Sequence, residues 1–174
     1  MDFANSFFLD SVREKHYAQN YTSHRMRTRI ENKSIFDLEN YFVLNHIPPE
    51  HWGIIHVSLN EKSITCYDGC HMDQLQKYEE VKKCLNVLAQ SLNVTRYINY
   101  PWPKKAIVDQ MYPKQNDGWN CGTLVAVYAY HITVNGYLPK ATQSAEYLYL
   151  FRKFMFACFE ETKKNGMPTL ATLI

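Results

Sequence analysis

Two β-rich runs, Gly53-Ile54-Ile55-His56-Val57-Ser58-Leu59 and Ser63-Ile64-Thr65-Cys66-Tyr67, stand on either side of the short polar stretch Asn60-Glu61-Lys62. Branched and aromatic residues flanking so short a loop predict an antiparallel hairpin. Such a hairpin commits the chain to a sheet in which the end of the second strand returns to the edge where the first began. Upstream, Tyr41-Phe42-Val43-Leu44 inside the apolar stretch 35–47 predicts a buried strand, closed by Pro48-Pro49 because neither proline can donate to a ladder. Downstream, Leu75, Tyr78, Val81, Leu85 and Leu88 recur at steps of three and four, which predicts a helix over 73–92 with Lys82 and Lys83 on its wet side. The apolar run 121–134 suits another helix. Leu148, Phe151, Met155 and Phe159 make the buried stripe of a last one over 144–164. Phe3 and Phe7 suggest an amphipathic helix over 3–15, followed by a polar, irregular connection over 16–33 that carries Arg25, Arg27 and Arg29. Val94–Tyr100 reads as a further strand broken by Pro101-Trp102-Pro103, and 106–111 as one more.

With 174 residues, 46% of them hydrophobic and 14% aromatic, the chain can bury one core, and a single domain over 1–174 is expected. The net charge of +2 is carried by Lys and Arg spread along the chain, so nucleic acid is not an expected partner. No basic n-region with an apolar run opens the sequence and no stretch has bilayer-spanning length, which predicts a soluble, unsecreted protein with no membrane partner. Five cysteines at irregular spacing fit reduced thiols. Cys66, Cys70 and His71 invite a zinc reading, but no second Cys/His pair lies at finger-like spacing, so neither metal nor organic cofactor is expected.

The stretch Gln115-Asn116-Asp117-Gly118-Trp119-Asn120-Cys121-Gly122 holds the chemistry. If a helix begins at Cys121, Asn120 is an apt N-cap and the thiol sits in the first turn, where unpaired N–H groups and the helix dipole favour a thiolate. Asp117 offers a second acceptor for those amides. Gly118 and Gly122 permit a tight turn and close approach to the sulfur. Taken alone, Cys121 reads equally as a small core hydrophobe. Among seven histidines, His51 lies at a strand end and His56 inside the same strand, with opposite parity, so one of the two at most faces Cys121. His51 is the better base, because strand ends beside turns reach clefts. The hairpin returns Asp68 to the edge of His51, where a carboxylate can fix the imidazole tautomer; Asp68-Gly69 is equally a simple turn. A side-chain amide on Gln115 can address an oxyanion together with the Cys121 N–H, or it is an ordinary loop glutamine.

His51-Trp52, then Tyr67-Asp68-Gly69, then Gln115 to Gly122 resemble, in order and spacing, the signature of the ubiquitin-like-protein-specific (SUMO, or sentrin-type) cysteine proteases, related to adenovirus protease. Asn40 to Asn45, the hairpin 53–67 and Phe151-Arg152-Lys153-Phe154 extend the likeness over most of the chain. The resemblance implies an α+β, papain-like fold with a central, mostly antiparallel sheet flanked by helices. It implies His51 as general base, Asp68 as its orienter, Gln115 as oxyanion donor and Cys121 as nucleophile. Trp52 would wall a tunnel for a Gly-Gly tail, with Trp119 and Gly118 beside it in substrate binding.

Three departures stand out: Asn120 where the family commonly has aspartate, Gly69 in place of the usual serine, and no counterpart to a second tunnel tryptophan, as if the extreme N-terminal segment were lacking or the clamp had diverged. The activity implied is cleavage after Gly-Gly of SUMO or a related modifier, in deconjugation or precursor processing, by an intracellular monomer of the nucleus or cytoplasm, or of a host cell for a pathogen effector. Partners would be SUMO, the neddylation modifier or ubiquitin, and their conjugates. An acetyltransferase of the related bacterial-effector type and a non-catalytic modifier binder are the alternatives.

Overall fold

A computed structural model describes residues 3–4, 34–70, 74–105, 114–138 and 144–165. Its sheet runs in the order β1 (Phe3–Ala4), β2 (Asn40–Ile47), β3 (His51–Ser58), β4 (Ser63–Tyr67). β2–β3 and β3–β4 are antiparallel and β1 lies parallel to β2. The expected hairpin is present, with Ser58 opposite Ser63 and Ile54 opposite Tyr67. Lys62 takes a left-handed φ of 53° in its loop. A short 3₁₀ turn, Ile35–Asp37, leads into β2, its Ser34 cap accepting from the Phe36 N–H while Asp37 accepts from the Ser34 N–H.

Helices α1 (Leu75–Ser91), α2 (Cys121–Asn135) and α3 (Ala145–Asn165) cover the sheet. Strand alternation decides which helix meets which side chain. Tyr41, Val43, Ile55, Val57 and Ile64 pack with Tyr78, Val81, Leu85 and Leu88 of α1, whereas Phe42 and Ile54 pack with Leu124, Val127 and Tyr128 of α2 and Leu148 and Phe151 of α3. Ile54 and Ile55 are fully buried on opposite faces, each such side chain stabilising the fold by about 1.5–3 kcal/mol. Three-layer packing therefore follows from two adjacent isoleucines. α2 is apolar nearly all round because it lies between the sheet and α3, where His131 bonds the Tyr147 hydroxyl. No helix among the described residues is long and apolar enough to cross a membrane.

Two expectations require correction. Val94–Tyr100 is not a strand: Asn93 and Asn99 adopt φ of 53° and 55°, which turn the chain at each end, and Thr95–Tyr97 form a 3₁₀ turn between them. Its aromatics serve the core instead, Tyr97 stacking on the fully buried Trp102 at 5.2 Å between ring centroids. The sheet edge is met just afterwards, where Ile64 N–H donates to the Pro103 carbonyl and Lys105 N–H to the Ile64 carbonyl. At the start, Phe3–Ala4 pair as strand rather than helix, since they find a β2 edge to bond. The rest of the helix expected over 3–15 and the strand expected over 106–111 lie outside the described residues.

His56 is buried, stacks on Phe42 at 5.0 Å and bonds Asn40 Oδ1 at 2.8 Å. Burial, with Lys105 adding to it and Glu61 opposing, pushes its pKa down to about 4. The folded-state value lies below the unfolded one, so the unfolded chain binds the proton first and stability present above pH ~6.5 is lost as pH falls toward 4. We expect this group to account for roughly 2–3 kcal/mol lost between pH 7 and 4.5. Urea unfolding at both pH values should show a smaller loss for His56→Gln than for wild type; equal losses would refute the assignment.

Candidate active site

β3 opens on His51 and the chain beyond β4 delivers Asp68, so the hairpin's return places a carboxylate against the imidazole: His51 Nε2 bonds Asp68 Oδ1. Asp68 is 1% exposed and His51 16% by side chain. Asp68 Oδ1 also accepts the Cys70 N–H at 2.9 Å, which ties the turn to the same oxygen. With Nε2 committed to the carboxylate, Nδ1 is the ring nitrogen left for chemistry.

Cys121 is the first residue of α2 and is buried at 7% exposure. Its Sγ stands 3.9 Å from the carbonyl of Glu50, the residue preceding His51, so the thiol lies against the start of the imidazole-bearing strand. Asn120 occupies the N-cap position, but its side chain makes no cap bond, contrary to expectation. The reason is competition: its amide donates to Asp117 Oδ2 and its Oδ1 accepts from Arg152 at 2.6 Å. The turn is organised by Asp117 instead, whose Oδ1 accepts the N–H groups of Trp119 at 3.0 Å and Asn120 at 2.8 Å. Burial opposes the charge of Asp117, yet bonds from the Asn120 side chain, these two amides and Gln115 hold its pKa below the usual carboxylate range.

Gln115 joins the two halves of the site. Its backbone N–H donates to the Gly69 carbonyl at 2.8 Å, and its Nε2 donates to the Asp117 carbonyl. A carbonyl only accepts, so the amide nitrogen must face it. The same nitrogen lies 3.5 Å from Asp117 Oδ1, so both of its contacts are to Asp117. Gln115 Oε1 is buried without a partner. A Cβ at Gly69 would come within 2.9 Å of Gln115 Cβ and 3.1 Å of Leu124 Cδ1, so glycine is what lets the two segments approach.

Trp52 is 37% exposed, its ring 4.8 Å from that of His46, and so is not a core residue; Trp119 is 75% exposed and Gly118 has nothing within 4 Å of a built Cβ. Arg152, on α3, bonds Asn120 and Thr123 and thereby clamps the first turn of α2, a role that its sequence position could not indicate. Cys70 was also missed in this setting. Its exposed sulfur is 4.0 Å from His51 Nδ1, and burial, then the charges of Asp68 and Cys121, push its thiol up. His71, weighed as a zinc ligand beside it, lies outside the described residues.

Residues 1–165 match the Ulp1 protease family, C-terminal catalytic domain. Solved structures similar to this chain include the SUMO protease Ulp1 with its catalytic cysteine oxidised to a sulfonic acid, with a TM-score of 0.64 at 16% identity over 88% of this chain and 66% of that one. The C-terminal Ulp1 protease domain in complex with SMT3, the yeast ortholog of SUMO, has a TM-score of 0.62 at 17% identity over 86% and 64%. The Ulp1-like SUMO protease catalytic domain of Chaetomium thermophilum has 0.58 at 15% over 87% and 57%. These likenesses show the fold, and the chain spans less than two thirds of the length of each of these structures. No curated protein matches it.

Proposed function

The chain belongs to the Ulp1 protease family, and from that membership we propose that it is a thiol peptidase that hydrolyses the bond after a Gly-Gly tail of SUMO or a related ubiquitin-like modifier. The observation that carries the reading is the bond of His51 to the buried Asp68 beside a helix-terminal thiol. In the proposed cycle His51 Nδ1 takes the Cys121 proton, the thiolate attacks the glycine carbonyl, and the oxyanion is met by the Cys121 N–H and by the Gln115 side-chain amide, which turns an N–H from Asp117 Oδ1 toward it. The imidazolium, stabilised by Asp68, then protonates the leaving amine. Water, deprotonated by His51, resolves the thioester. Exposed Trp52 and Trp119 would flank the tail, where glycine alone passes between large aromatic walls. One structure of a Ulp1 domain is a complex with SMT3, which supports a modifier of that class as partner. The reading places the protein in the nucleus or cytoplasm of a cell.

Modifiers ending in a vinyl or aldehyde warhead test it. SUMO, the neddylation modifier and ubiquitin are compared side by side. Wild type, Cys66→Ala and Cys70→Ala should be labelled by at least one of the three, and Cys121→Ala by none. Labelling that persists without Cys121 would end the assignment.

A further inference from the structure

We propose that the exposed Cys70 and the imidazole of His51 form a reversible binding site for a soft divalent cation of the zinc class, and that its occupation shuts off the thiol chemistry of Cys121. The binding follows from local geometry; its inhibitory consequence rests on the peptidase reading.

His51, Asp68 and Cys70 each offer a ligand atom, all within 4.8 Å of one another. Cys70 Sγ lies 4.0 Å from His51 Nδ1. Sulfur and nitrogen bound to one tetrahedral zinc stand about 3.6 Å apart, so a contraction of roughly 0.4 Å closes the gap. The imidazole is already arranged as a metal-ligating histidine usually is, with its far nitrogen held by a carboxylate, here His51 Nε2 on Asp68. Asp68 also fixes the backbone of Cys70 through the N–H bond to Oδ1, so both ligands are positioned by one buried group. Thiolate and imidazole select zinc-like ions over magnesium or calcium, which prefer oxygen. Solvent is available to complete the shell beside the exposed Cys70.

Binding exchanges the Cys70 thiol proton for the metal, releasing it to water, and engages the Nδ1 lone pair that would accept the Cys121 proton. The base is then blocked without any covalent change.

Chelator-stripped protein titrated with Co²⁺, a spectroscopic stand-in for zinc, should develop sulfur-to-cobalt charge-transfer absorption that Zn²⁺ displaces. Cys70→Ala should bind both ions at least about 10–100-fold more weakly, and Cys66→Ala should match wild type. Modifier–fluorophore hydrolysis should be inhibited by Zn²⁺, recover with chelator, and need an inhibitory concentration raised by the same factor in Cys70→Ala. Wild-type affinity in Cys70→Ala, or no Co²⁺ binding in active wild type, would overturn the site. Cys70-dependent Co²⁺ binding by a protein with no hydrolytic activity would preserve the site and sink the peptidase reading.

Discussion

Asp68→Asn is expected to lower kcat on a modifier–fluorophore substrate by about 10⁴, the scale seen when the triad carboxylate of a serine protease is made neutral, with KM little changed. Asparagine has nearly the shape of aspartate and can keep an oxygen toward the Cys70 N–H, so the turn survives. What disappears is charge beside a ring that must become an imidazolium, in a pocket where Asp68 is 1% exposed and solvent cannot substitute for it. Because one oxygen, Oδ1, holds both the Cys70 N–H and His51 Nε2, the opposite amide orientation gives up the turn bond and moves the ring proton to Nδ1, which can then no longer accept one. Thermal unfolding measured beside the kinetics separates loss of chemistry from loss of fold. A variant within tenfold of wild-type kcat would show that Asp68 is a structural partner only.

The residues on which that prediction depends differ in how readily sequence alone reveals them. His51 and Asp68 meet because of a hairpin, and hairpins are written locally: branched residues on both sides of Asn60-Glu61-Lys62 fix the return, and the return fixes the pair. The helix at Cys121 is likewise local, an apolar run entered from a turn rich in Gly, Asn and Asp. Cap chemistry is not local in this way. Asn120 stands at the N-cap yet caps nothing, because Arg152 arrives from α3 and occupies its oxygen, while Asp117 takes the amides of the turn before the helix. Val94–Tyr100 misleads for a related reason. Its β-prone composition records burial against Trp102, while two left-handed asparagines set the backbone. Cys70 shows the same limit, since its distance from His51 depends on how the Asp68 turn closes.

Gly69→Ser should lower kcat by about 10²-fold, as misplacing a catalytic group by about an ångström can do, and destabilise the fold by about 1–3 kcal/mol through overpacking. The resemblance noted in the sequence puts serine at this position, which suggests a harmless exchange. The local packing predicts otherwise. A Cβ at 69 would meet Gln115 Cβ at 2.9 Å, the stem of a side chain rather than a tip that swings aside, with Leu124 at 3.1 Å closing the other direction. Gln115 cannot move alone, because its N–H is bonded to the Gly69 carbonyl and its amide to Asp117, so the strain passes into the turn that presents Cys121. A double-mutant cycle isolates the route. In a Gln115→Ala background the catalytic penalty of Gly69→Ser should largely vanish, since the displaced donor is already gone. The stability penalty should remain, because alanine keeps the Cβ. Independent, additive losses in kcat would mean that Gly69 acts on something other than Gln115, and wild-type kcat in Gly69→Ser would show that the turn yields without cost.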